Sequence, residues 1–218
     1  MQSGEGSITV SESEAAIHGH GTAYVEESPY AIPSRKLTMW LFIISDAVTF
    51  GALLMAYGYL RFASSDWPTP FKLSPSIVNV MLMTFVLLTS SLTMLGAVDA
   101  AKLGDKAKTA RFMWSTILLG VIFAGLHLRE WLGMIAEGVR LFQNPWGSAI
   151  FGASFFSITG LHLLHVLCGV IALIVVSRKY ASGRLTAGHV ETTGLYWHFV
   201  DLVWMFVVPL VYLTNIHH

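Results

Sequence analysis

Five long apolar runs alternate with short polar stretches along the chain, at about 37–62, 77–100, 112–136, 150–177 and 195–216. Each is long enough to cross a bilayer as a helix, which takes roughly 20 residues. Unbroken runs of this length predict membrane helices rather than strands or amphipathic surface helices. The expectation is an all-α, polytopic membrane domain over 35–218 with five transmembrane helices. Residues 1–34 are polar and rich in Ser, Gly and Glu, with Pro29 and Pro33 near their end. They hold too little apolar surface to form a core, which predicts a disordered or loosely docked tail. His18 and His20 in that tail are a weak metal pattern, and solvation is the simpler reading. No charged n-region leads directly into an apolar core, so no cleaved signal peptide is expected.

Composition supports the membrane reading. Of 218 residues, 54% are hydrophobic and 12% charged, against about 25% charged in a typical soluble domain. The formal net charge is zero, so nothing points to nucleic acid. The single cysteine, Cys168, lies inside the fourth run, which excludes an intrachain disulfide and a thiolate metal cluster. Lys and Arg sort by side. Arg35, Lys36, Lys102, Lys106, Lys108, Arg111, Arg178, Lys179 and Arg184 fall at the start of the first run and in the second-to-third and fourth-to-fifth connections. The other side has Arg61, Lys72 and Arg140, with Arg129 near that interface. Positive charge prefers the cytoplasmic side, so the N-terminus is expected inside and the C-terminus outside.

Ionisable groups within the runs carry the chemical interest, because charge in a membrane is costly and faces a partner or a cavity. Asp46 sits deep in the first run. His127 and Glu130 share a face of the third, His162 and His165 of the fourth, and His198 and Asp201 of the fifth, each pair three residues apart. Blander readings exist for each. Asp46 with Ser45 would make a polar packing contact, Arg129 and Glu130 would be interface charges, and His198 and Asp201 would lie in the headgroup zone with Trp197 as an anchor. Such side chains also suit a metal or an axially ligated haem, for which His165 and His198 are the pair closest in depth. Depth argues against one common metal site, and an interior hydrogen-bonded network fits better. Thr89, Ser90, Ser91 and Thr93 in the second run, and Gly152, Gly160 and Gly169 in the fourth, predict close helix packing.

The segment Tyr196-Trp197-His198-Phe199-Val200-Asp201-Leu202-Val203-Trp204 resembles the last-helix signature of subunit III of haem-copper oxidases, the terminal oxidases of respiration. The resemblance extends over about 40–212. It includes the aromatics, Thr159-Gly160, His162 and His165 of the fourth run, and Glu130 followed by Trp131. Ile44-Ser45-Asp46 is similar to a family position that is glutamate in many members and aspartate in some, often quinol-oxidising ones. Five helices match the short bacterial form, and the shorter reach of Asp46 departs from the glutamate pattern.

The resemblance implies a catalytically silent subunit with no haem, copper or other metal, packed on the redox-active subunit I in a bacterial cytoplasmic membrane. Subunit II, and a small subunit IV or a larger respiratory supercomplex, would complete the surroundings. Implied roles are phospholipid binding, oxygen access, support of proton uptake and protection of subunit I. On that footing Asp46 is the buried acid facing a cleft, and His127, Glu130, His162, His165, His198 and Asp201 form the interior polar network. Arg61, Arg178, Trp40 and Trp197 are the candidate lipid contacts. Subunit III of a quinol oxidase is the alternative within the family. A haem-binding membrane cytochrome is the alternative outside it.

Overall fold

The computed structural model describes residues 34–71, 76–145 and 147–216. The expectations for the tail, for His18 and His20, and for Lys72 lie outside the described residues. The chain divides into units of residues 1–34 and 35–218, and the account below concerns the second.

The described residues form five helices: α1 (Ser34–Ala63), α2 (Val78–Lys102), α3 (Lys106–Ala136), α4 (Ala149–Ala181) and α5 (Ala187–Val207). All five are long and apolar enough to cross a membrane, so the protein is an all-α, multi-pass membrane chain. Several run past the expected spans. α4 has 33 residues, about 50 Å at 1.5 Å per residue, whereas the hydrocarbon core is only about 30 Å thick. Charged residues that read as loop therefore continue the helices beyond the hydrocarbon. The charged connection left between the second and third runs, 101–111, shrinks to Leu103, Gly104 and Asp105, with Gly104 at φ 76° and the Asp105 carboxylate capping the Lys108 amide at 2.9 Å. The expected loop 178–194 likewise gives way to helix. α5 starts at Ala187 because Thr186 and His189 form a reciprocal cap over its first turn.

α2 packs on α3, α3 on α4, α4 on α5, and α5 back on α2. These four close a ring around the core. α1 stands beside it, touching through a narrow stripe of Ile43, Phe50 and Tyr57 spaced one heptad apart. Only 6% of the most apolar window of α1 is buried, against 56% for the last span. In water such a helix would be unstable; in a membrane its exposed Leu41, Val48, Met55 and Phe62 meet lipid or another chain.

The small residues serve rings as well as backbones. Trp197 is fully buried in a slot between α3 and α4. A Cβ on Gly120 would come within 2.6 Å of its ring, and one on Gly169 within 2.9 Å. Gly160 makes room for Trp131 in the same way, while Gly152 admits the Arg140 carbonyl. Pro209, which has no N–H to donate, follows α5; there the chain loosens into one π-turn, Val208–Tyr212, and a last 3-10 turn, Leu213–Asn215.

Candidate functional site

α1 is fastened to the ring by polar clasps at both ends and in the middle. At the end where it begins, Lys36 pairs with Glu191 at 2.8 Å, and Arg35 reaches the His189 ring at 2.8–2.9 Å. At the far end Arg61 donates from Nε to Asn215 Oδ1 at 3.0 Å and also to the Thr214 carbonyl. Trp67 Nε1 donates to the same Asn215 oxygen at 3.1 Å, and Asn215 Nδ2 donates to Tyr57 Oη and, at 2.7 Å, to the Val211 carbonyl. Asn215 is fully buried and all its polar atoms are used. Arg61 is thereby tied to the protein's own C-terminal turn.

The middle clasp joins α1 to α4. His165 Nε2 lies 3.1 Å from Asp46 Oδ2, and His165 Nδ1 lies 2.8 Å from the Leu161 carbonyl. Phe50 packs edge-on against the imidazole at 5.4 Å. The protonation follows from the partners. A carbonyl only accepts, so Nδ1 carries a hydrogen. A second proton must then lie between Nε2 and Oδ2, or two acceptors would face each other. Both ring nitrogens of His165 are thereby satisfied. Asp46 on α1 thus meets α4, and both ring nitrogens of His165 are engaged within the protein.

α5 is pinned to α2 by a ladder of three rungs. Trp197 Nε1 donates to Ser90 Oγ at 3.0 Å, Ser91 Oγ lies 2.6 Å from His198 Nδ1, and Trp204 Nε1 donates to Thr84 Oγ1 at 3.0 Å. Full burial of Trp197 rules out its anchoring at a lipid interface. Asp201 is buried on the same helix, with Ser91 beside it. Elsewhere Glu130 Oε2 accepts from Tyr212 Oη at 3.1 Å. His127 and His162 are fully buried against Trp204, His162 stacked on it at 5.0 Å. The six network residues therefore do not join into one hydrogen-bonded system. They fall into the Asp46–His165 pair, the His198–Ser91 rung with Asp201, the Glu130–Tyr212 pair, and the two histidines of the aromatic core. Among the described residues no three His, Cys, Asp or Glu side chains converge as a metal site would require.

Between α1 and α5 lies an apolar cleft of about 330 Å³, with Ala47, Phe50 and Gly51 on one side and Phe199, Leu202 and Phe206 on the other. Trp40 and Arg178 are exposed. Sequence reasoning missed Asn215, Tyr57, Tyr212 and Thr84. Asn215 follows an apolar run as an ordinary helix-end polar residue, so nothing in its spacing marks it as a hub. Ser90 and Ser91 are legible as packing residues, but not as hydrogen-bond partners of a tryptophan and a histidine 107 residues further on, in α5.

The family model described as cytochrome c oxidase subunit III matches residues 10–215. The chain belongs to the cytochrome c oxidase subunit III family. It is similar to cytochrome c oxidase subunit 3 of Alkalihalophilus pseudofirmus, 32% identical over 186 residues, covering 84% of this chain and 88% of that one. Quinol oxidase subunit 3 of Bacillus spizizenii is 30% identical over 206 residues, covering 93% and 98%. A haem-copper oxidase subunit I+III of Aeropyrum pernix is 29% identical over 202 residues, covering 88% of this chain and 24% of that longer protein. Relatives named for both donor types, and one named as subunits I and III together, place the subunit III family within haem-copper oxidase complexes.

Proposed function

We propose that this chain is the cofactor-free accessory subunit of a bacterial terminal oxidase that reduces oxygen to water and moves protons, and that it binds phospholipid in the α1/α5 cleft. The carrying observation is the way α1 is held. Polar clasps at its ends and middle keep it beside the ring while leaving an open apolar gap of about 330 Å³, a volume suited to part of an acyl chain. Arg178 and Trp40 are the headgroup-level contacts in this reading. The apolar body offers oxygen a solvent, and the Asp46–His165 pair a place to hold a proton near partner subunits. Subunit I is the main partner, with subunit II, and a small subunit IV or a supercomplex, around it, in the cytoplasmic membrane with the N-terminus inside. In this reading the complex is a cytochrome c oxidase, and the alternative, which the aspartate at position 46 favours, is a quinol oxidase.

The test is native mass spectrometry of the purified complex, with and without Gly51→Phe, a substitution that fills the cleft at a position where a Cβ meets nothing within 4 Å. The unmodified subunit retains a phospholipid that the variant lacks. Equal lipid retention in both would sink the cleft assignment. Haem bound to the separated chain would sink the accessory reading as a whole.

A further inference from the structure

Lys102, Lys106, Lys108 and Arg111 crowd the turn between α2 and α3, where the acids are Asp99 and Asp105. Among the described residues none of the four cations forms an ion pair. Lys106 Nζ reaches toward the α4–α5 connection, 3.4 Å from where a Cβ on Gly183 would stand. Two of the four, Lys108 and Arg111, line an open pocket of about 400 Å³ with Asp105, Ala107, Phe112 and Ser115. Phe112 fixes the side of the pocket toward α2. Its ring rests against Gly96, where a Cβ would meet it at 3.1 Å. Past the pocket the same face of α3 turns apolar. Trp114, Leu118, Val121 and Ile122 follow Arg111 at spacings of three and four residues, and all are exposed. From Arg111 to Ile122 a helix rises about 16 Å at 1.5 Å per residue, the depth of one leaflet of a hydrocarbon core about 30 Å thick.

Basic residues at the ends of membrane helices serve to orient the chain, and for that they need only water around them. Here two of them border a concave seat, and the seat leads onto an apolar track headed by a tryptophan, a side chain that favours the headgroup level. Arginine and lysine make short, charge-assisted hydrogen bonds to phosphate oxygens. A free phosphate would use the cations and leave the track bare, whereas a phospholipid uses both. A zwitterionic headgroup would bring its own cation toward Lys108 and Arg111, and Asp105, the one acid of the pocket, already accepts from the Lys108 amide. We propose that Lys108 and Arg111 seat the phosphate of an anionic glycerophospholipid of the phosphatidylglycerol class, one acyl chain of which lies along Trp114, Leu118 and Ile122. The site shares no residue with the α1/α5 cleft. It requires only that α3 spans the membrane, and it stands or falls apart from the lipid proposed for that cleft.

The deciding experiment is native mass spectrometry of the intact oxidase complex, delipidated and then titrated with phosphatidylglycerol in mixed micelles. One double variant, Lys108→Gln with Arg111→Gln, removes both cations of the seat. A second, Lys102→Gln with Lys179→Gln, removes the same charge outside it. The expected result is that the first variant needs about tenfold more phosphatidylglycerol to bind one lipid that the unmodified complex holds, while the second matches the unmodified complex. Equal losses in the two variants would reduce the attraction to a diffuse basic surface and overturn the seat. Phosphatidylcholine held as tightly as phosphatidylglycerol by the unmodified complex would overturn the anionic headgroup. Displacement by inorganic phosphate, but not by sodium chloride of equal ionic strength, would make the ligand a free anion and overturn the lipid. Lys108 and Arg111 are exposed, so their replacement leaves the packed core untouched. Should the first variant still fail to assemble, the headgroup and phosphate comparisons on the unmodified complex decide. Gly51→Phe leaves this lipid in place, so the two lipid assignments fail separately.

Discussion

The Asp46–His165 pair shows how much a single hydrogen-bond pattern decides. The imidazole bridges two partners, Nδ1 toward the Leu161 carbonyl and Nε2 toward Asp46. Asparagine at position 46 would keep the geometry, because its amide N–H donates to an unprotonated Nε2. It would remove the carboxyl group that the proposed proton-holding role requires. Leucine would leave Nε2 without a partner, at about 1–3 kcal/mol. Asp46→Asn should therefore leave the unfolding temperature of the subunit nearly unchanged and shorten the number of turnovers before the oxidase inactivates. Asp46→Leu should lower both. Equal lifetimes for the wild-type complex and Asp46→Asn would show that the pair is structural only. The spacings of His162 with His165 and of His198 with Asp201 were readable as helix faces. Their partners were not, because each lies on another helix at a depth that spacing does not encode. His162 and His165 share a face by number, yet one stacks on Trp204 and the other meets Asp46 on α1.

At the scale of elements, α1 is the helix held by few contacts, and its clasps differ in strength. The Lys36–Glu191 side chains are 37% and 35% exposed, so that pair contributes at most about 1 kcal/mol. Asn215 is buried and serves Arg61, Trp67, Tyr57 and the Val211 carbonyl at once. Truncating it strands several of these groups, for a loss of about 3 kcal/mol on the usual range per orphaned partner. Asn215→Ala should thus lower the unfolding temperature clearly and speed protease cleavage in the 64–70 connection several-fold, whereas Lys36→Ala should do neither. The reverse ranking, read from the same two assays, would mean that α1 is held from its other end. The α2/α5 ladder yields a companion expectation. Trp197→Phe loses both the bond to Ser90 and part of the ring that fills the slot beside Gly120 and Gly169, costing about 2–4 kcal/mol as a large-to-small core change. Gly120→Val should be at least as damaging, since a Cβ there already meets the Trp197 ring at 2.6 Å. Five helices were legible from apolar run length alone, since no other backbone form satisfies itself within lipid at that length. Their ends were not, because helices continue past the hydrocarbon into charged sequence.

For the whole molecule the decisive fact is asymmetry. Four helices, α2 to α5, close a ring around a packed core, while α1 is tethered by polar contacts and exposes most of its apolar surface. On the proposed reading such a chain can be removed from the assembly without disturbing chemistry held in its partners, and its loss is felt through the lipid and protons proposed for it. Stripping the subunit with detergent should leave the haem absorbance of the remaining complex and its first turnovers unchanged, while the activity decays many-fold sooner during continuous oxygen reduction. Adding the purified subunit back with phospholipid should restore the lifetime. Adding back Gly51→Phe should restore it only in part, because the subunit returns while the acyl chain proposed for the α1/α5 cleft is kept out. The pair of additions separates two causes that a simple deletion confounds. If wild-type and Gly51→Phe subunits restore the lifetime equally, protection comes from covering subunit I, and the cleft is a packing gap that lipid happens to fill. If neither restores it but haem absorbance has already fallen after stripping, the subunit instead helps to hold the redox centres in place, and the separation between supporting chain and reacting chain is narrower than the ring-and-tether architecture implies.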